Sequence, residues 1–166
     1  AGLPVIDTLN NLIASGDEII KIQAILSGSL NFVFNKFTPE TSFKDIVKSA
    51  QTEGYTEPDP KIDLSGVDVA RKILILARES GFEIELSDVE NKAFLPEEVL
   101  NTDSNEAFYE MIEKNESHFQ NLLANANSKG ARLKYVAQLE NGKASVGLQE
   151  IDSTHDFHNL EGSDNI

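Results

Sequence analysis

The sequence predicts an α+β domain, a sheet with helices packed on one face, and three observations carry that expectation. Apolar residues recur at helical spacing in several segments, the first running through Val5, Ile6, Leu9, Leu12 and Ile13. Arg132 to Leu139 and Ala144 to Ile151 alternate around Asn141-Gly142, the strongest short hairpin signal in the chain. Helical and strand patterns are mixed, with the hairpin coming late.

Taken in order, residues 2–15 read as a helix that Ser15-Gly16 ends, with Pro4 suited to its first turn. Ile19 to Leu26 reads as a strand apolar on both faces, running into Ser27-Gly28-Ser29. A helix from about Leu30 places Phe32, Val33 and Phe37 on one side. Ser42 caps another, through about Thr52, with Phe43, Ile46, Val47 and Ala50 inward. Residues 54–66 (GYTEPDPKIDLSG) hold two prolines and two glycines, which argue against regular structure. Helix 66–80 is the most apolar segment, and Gly81 closes it. Asp88 to Phe94 reads as a strand, and residues 104–113 and 115–128 as helices. No internal repeat or low-complexity tract interrupts this order.

At 166 residues the chain is long enough for one domain with a sizeable core. With 28 acids against 14 bases, the net charge of −14 argues against nucleic-acid and anionic-membrane partners, which need clustered Lys and Arg. The longest apolar run, Ile73 to Ala77, is far short of the ~20 residues of a membrane span. The opening AGLPVIDTLNNL has neither a basic n-region nor a cleavage site, so no secretory signal is expected. The lack of cysteine removes disulfides, thiolate catalysis and Cys-type zinc sites, and fits a reducing, cytoplasmic setting. The last stretch, HDFHNLEGSDNI, stops without a terminating element, and the chain reads as truncated at both ends.

The chemistry concentrates in Gly54 to Lys72. Ser65 is a good N-cap, and Asp68 three residues on gives an S-x-x-D capping pattern. Asp68 and Lys72 stand four apart and share a helix face, the acid N-terminal as a helix prefers. Ile73, Leu74, Ile75, Leu76 and Ala77 follow, so Lys72 is expected at the edge of a poorly solvated region. A lysine held between desolvation and a carboxylate is a plausible general acid and base. The same spacing also suits a capping acid and an exposed ion pair of little worth, and spacing alone leaves both readings open. Before the helix, Tyr55, Glu57, Asp59 and Asp63 lie in a loop stiffened by Pro58 and Pro60. A rigid acidic loop suits a small cationic group, and also fits an ordinary solvated turn.

The segment GYTEPDPKIDLSGVDVARK resembles the signature of homoserine dehydrogenases, as do AGLPVI, GDEIIKIQAILSGSLNFVFN and KILILARESG around it. The resemblance is good over about residues 1–100 and fades through 100–150; in detail it is nearest the dehydrogenase portion of bifunctional aspartokinase–homoserine dehydrogenases. It implies a catalytic and dimerisation domain over residues 1–166, similar to the C-terminal domain of glyceraldehyde-3-phosphate dehydrogenase. It implies interconversion of L-homoserine and L-aspartate 4-semialdehyde with NADP or NAD, in threonine, methionine and isoleucine biosynthesis, by a homodimer. By position, Lys72 matches the proton-transferring lysine and Asp68 the acid that holds homoserine beside it. Glu57 matches the substrate-binding glutamate, and Tyr55, Asp63 and Ser29 match positions that line the pocket. Ala1 and Leu3 match backbone carbonyl ligands of a monovalent cation, usually sodium, at a site expected to be incomplete here.

No G-x-G-x-x-G follows a strand, so the dinucleotide-binding fingerprint is missing, as is a second family lysine upstream. The chain alone is therefore expected to have little or no dehydrogenase activity. The alternative is a non-catalytic interaction or dimerisation module derived from such an enzyme. Among weaker candidates, His155 and His158 near Asp152 and Asp156 read as a solvated tail rather than a metal site. His118 stands apart from them. Ser27-Gly28-Ser29 suits either an anion or a helix cap.

Overall fold

The structure is a computed structural model that describes residues 4–161. Eight α-helices and four strands are described: α1 (Val5–Ala14), β1 (Lys21–Ala24), α2 (Gly28–Lys36), α3 (Phe43–Thr52), α4 (Pro60–Leu64), α5 (Val67–Glu79), β2 (Glu90–Lys92), α6 (Glu97–Leu100), α7 (Asn105–Lys114), α8 (Glu116–Ser128), β3 (Arg132–Glu140) and β4 (Lys143–Ile151). The strands form one sheet in the order β1-β3-β4-β2. β1–β3 and β3–β4 are antiparallel, and β2 runs parallel to β4.

The hairpin is as expected. Glu140 pairs with Lys143 across Asn141-Gly142, whose φ values of 50° and 76° are both positive, as a tight primed turn requires. One face of the sheet carries Leu133, Tyr135, Ala137, Leu139, Ala144 and Val146, and α2, α5 and α8 pack on it. This is the predicted α+β arrangement, with the core between sheet and helices. Towards the β1 edge the other face is polar: Gln23 donates to Gln138 at 3.3 Å, and Gln138 to Glu140 at 2.8 Å. Where β1 stops short of the start of β3, buried Lys134 donates to Asn35 Oδ1 (2.5 Å) and to the Leu160 carbonyl (2.6 Å), tying residues 152–161 to α2. Burial, then the neighbouring Arg132, holds the Lys134 amine below its usual range, with Glu161 opposing.

Four expectations need correction. The strand expected over Asp88–Phe94 spans only Glu90–Lys92, with Leu86–Asp88 before it in a 3-10 turn. The strand expected over Ile19–Leu26 is only Lys21–Ala24, and it is an edge strand with Ile20 70% exposed. Its apolar residues do not have a neighbour on both sides, and the chain leaves the sheet to begin α2. Residues 54–66 are not wholly irregular: Asp59 accepts from the Lys61 N–H at 3.1 Å and caps α4, with Pro60 in the first turn where a missing N–H costs nothing. The helix over 66–80, expected as the most apolar segment, is amphipathic, burying Val69, Ala70, Ile73, Leu74, Leu76 and Ala77 but leaving Ile75 48% exposed. No helix among the described residues is long and apolar enough to cross a membrane.

Candidate active site

Four segments meet at the start of α5. Lys72 Nζ lies 2.8 Å from Asp68 Oδ2 and donates to the Leu26 carbonyl at 3.0 Å, where β1 hands over to α2. Their side chains are 44% and 54% exposed, so the lysine is half-solvated rather than at a desolvated edge as expected. An exposed pair of this kind contributes little to the fold, while leaving its ammonium reachable.

From Leu26 the path follows the backbone to Ser27 and then a run of hydrogen bonds. Ser27 Oγ caps α2, accepting from the Leu30 N–H at 3.1 Å, and lies 3.0 Å from Ser29 Oγ. Buried Ser29 donates to Asp63 Oδ1 at 3.0 Å, and Asp63 Oδ2 accepts the Glu57 N–H at 2.9 Å. Lys72, Asp68, Ser29, Asp63 and Glu57 are thus brought into one connected constellation. The Glu57 side chain is exposed, and its carboxylate has no hydrogen-bond or ion-pair partner among the described residues. Tyr55 turns elsewhere: its ring stacks on Phe32, centroids 4.2 Å apart, and lines a cavity of about 680 Å³ shared with Arg132, Leu123 and Phe37. Lys72, Asp68 and Glu57 are not among that cavity's walls.

The cap of α5 is not the expected one. Ser65 Oγ donates to the Ile62 carbonyl at 2.7 Å, and the N-cap is Gly66, in the left-handed region with φ 73°. A Cβ at Gly66 would overlap the Tyr135 hydroxyl. That hydroxyl donates to Asn91 Oδ1 at 3.2 Å, and Asn91 Nδ2 donates to the Ser65 carbonyl at 2.9 Å. A strand tyrosine and an edge asparagine therefore fix the joint from which Asp68 and Lys72 project. The sequence reading missed these three residues; the glycine just before the helix is the signal that was available.

The turn Ser27-Gly28-Ser29 resolves as a helix cap. Both hydroxyls are engaged, and the Asp63 carboxylate stands against Ser29, which disfavours an anion. His118 Nε2 lies 2.8 Å from the Phe94 carbonyl, His155 Nδ1 accepts from the Phe157 N–H at 3.1 Å, and His158 Nδ1 is 3.1 Å from Asn159. No cluster of metal-ligating side chains occurs among the described residues. Ala1 and Leu3 lie outside the described residues.

The sequence profile of the homoserine dehydrogenase family matches residues 4–166. The chain belongs to the homoserine dehydrogenase family. The homoserine dehydrogenase of Schizosaccharomyces pombe is 43% identical over 174 residues, covering 100% of this chain and 46% of that protein. The bifunctional aspartokinase/homoserine dehydrogenase 2 of Zea mays is 42% identical over 168 residues, covering 100% of this chain but 18% of that protein. A crystal structure of a Candida auris protein of unknown function superposes with a TM-score of 0.90 at 38% identity, covering 98% of this chain and 48% of that one. The chain thus spans about half of the Schizosaccharomyces pombe protein and about a fifth of the Zea mays one.

Proposed function

We propose that this chain is the substrate-binding and proton-transferring part of a homoserine dehydrogenase, acting on L-homoserine and L-aspartate 4-semialdehyde with NADP or NAD. Family membership favours this over a module with no catalytic role. The observation that carries it is the half-exposed Lys72–Asp68 pair, linked through Leu26, Ser27, Ser29 and Asp63 to the backbone of Glu57, whose carboxylate has no hydrogen-bond or ion-pair partner among the described residues.

The substrate carries an ammonium, a carboxylate and a neutral alcohol or aldehyde. Glu57 supplies negative charge for the ammonium. Lys72 places an N–H donor at the reacting oxygen. In reduction Lys72 gives its proton to the aldehyde oxygen as the carbon is reduced; in oxidation it takes the hydroxyl proton back. Asp68 holds the lysine head through the 2.8 Å contact and keeps it aimed. Proton transfer by a placed side chain contributes roughly 10²–10⁴-fold. The nicotinamide cofactor of the family supplies the hydride when bound. Its pyrophosphate is not accommodated by the strand-to-helix turn at Ser27-Gly28-Ser29, whose hydroxyls are spent and whose neighbour is a carboxylate. A homodimer in the cytoplasm, with a monovalent cation near Ala1 and Leu3, completes the proposal.

The test is Lys72→Ala in a full-length enzyme carrying this domain. We expect kcat to fall at least ~10²-fold, the lower end for a lost general acid. A near-normal kcat would remove Lys72 from the chemistry.

A further inference from the structure

The loop that presents Glu57 is held on two sides. On one, Asp63 accepts the Glu57 N–H at 2.9 Å. On the other, the carbonyl of the next residue, Pro58, accepts two side-chain donors at once. Gln51 Nε2, from the last turn of α3, and Asn105 Nδ2, from the first residue of α7, each reach it at 2.8 Å. Both lone pairs of that oxygen are thereby used.

Gln51 is itself oriented. Tyr109, one turn along α7 from Asn105, donates its hydroxyl to Gln51 Oε1 at 2.8 Å, which settles that the amide nitrogen faces Pro58. Burial, and then the nearby Asp59 charge, pushes the Tyr109 phenol above its usual range, so it remains a donor. A surface turn has little need of this arrangement, since Pro58 and Pro60 already stiffen the loop and Asp59 caps α4. The Glu57 carboxylate, in contrast, is left without a hydrogen-bond or ion-pair partner among the described residues. A backbone fixed on both sides of a free carboxylate is arranged to present that carboxylate to a ligand.

We propose that Gln51, Asn105 and Tyr109 are positioning residues for Glu57, setting the enzyme's affinity for the substrate ammonium from α3 and α7. The inference rests on reading Glu57 as the ammonium ligand. It extends the substrate site to a helix about fifty residues beyond the loop.

The experiment uses a full-length homoserine dehydrogenase carrying this domain, assayed with L-homoserine and NADP. For the Gln51→Ala/Asn105→Ala double variant we expect KM for homoserine to rise at least about fivefold with kcat within about twofold, the pattern of lost uniform binding. KM for NADP and the pH profile of kcat stay as in the parent. Tyr109→Phe raises KM for homoserine on its own and has no further effect once Gln51 is alanine, because it acts through that residue. A loss confined to kcat, or a Tyr109→Phe effect that persists undiminished without Gln51, overturns the proposal. Should the double variant not fold, Tyr109→Phe, which removes one hydroxyl, carries the test: an unchanged KM then overturns it. Glu57→Gln separates the two levels. If it leaves KM unchanged, the ammonium reading fails and the clamp with it; if it raises KM while the clamp variants do not, only the clamp fails.

Discussion

Asp68 has two candidate jobs, and its surroundings distinguish them. As a cap it would accept a backbone N–H in the first turn of α5, but the joint is made by Gly66 with no side-chain cap bond. What Asp68 holds is the Lys72 ammonium, at 2.8 Å and half in solvent. An exposed i,i+4 pair contributes at most ~1 kcal/mol to stability. Asp68→Asn in the full-length enzyme is therefore expected to leave the melting temperature within a few degrees of the parent while raising KM for homoserine and lowering kcat. Calorimetry alongside steady-state kinetics checks this; a variant that melts early but turns over normally would return Asp68 to a structural part. Glu57, Asp63 and Ser29 were visible as polar residues in a loop and a turn. Their division of labour was not, because which carboxylate is consumed by neighbours and which stays free is a matter of contacts between residues far apart in sequence.

At the scale of elements, the joint between α4 and α5 does the positioning. Two prolines in a short stretch read as breakers, yet Asp59-Pro60 is also a cap followed by a first-turn proline, and α4 forms. The joint is locked by Tyr135, which is 2% exposed and whose burial pushes its phenol up to about 12. Unfolding returns that phenol to its ordinary value near 10. Between those values the native state binds more protons than the unfolded one, so stability is fully present below pH ~10 and is lost as pH rises towards 12. The full loss attributable to Tyr135 is on the order of 3 kcal/mol, about half of it between pH 9 and pH 11. Denaturant midpoints at pH 9 and pH 11 for the parent and for Tyr135→Phe measure it. The phenylalanine variant should lose less stability over that interval; parallel declines would mean that the tyrosine is not the titrating lock.

Over the whole molecule, the sheet sets the site's address. Long antiparallel β3 and β4 form the middle, short β1 and β2 flank them, and α5 packs across β3 and β4 with its start held by Asn91 of β2, while Lys72 in its second turn reaches the Leu26 carbonyl just beyond β1. The result is a wall with acids and one reachable lysine, and with no cradle for pyrophosphate at its strand-to-helix turn. The isolated chain is accordingly expected to turn over aspartate semialdehyde with NADPH far more slowly than a full-length enzyme. Turnover within about tenfold of that enzyme, a barrier difference of only ~1.4 kcal/mol, would sink this expectation.

Local patterns were enough to determine the helices α1, α3, α5, α7 and α8, the Asn141-Gly142 hairpin and the Asp68–Lys72 pair, because each depends on residues within a turn or two of one another. Membership of the family was legible in the same way, from one long contiguous motif. Tertiary structure alone decided that the Ile19–Leu26 strand is short and at an edge, and that β2 joins β4 in parallel. It also decided that Gly66 rather than Ser65 begins α5, since a hydroxyl from β3 occupies the space where a side chain would stand. The grip of Gln51 and Asn105 on Pro58 belongs to the same class. Such features join residues tens of positions apart, and their energy exists only once the chain has brought those residues together.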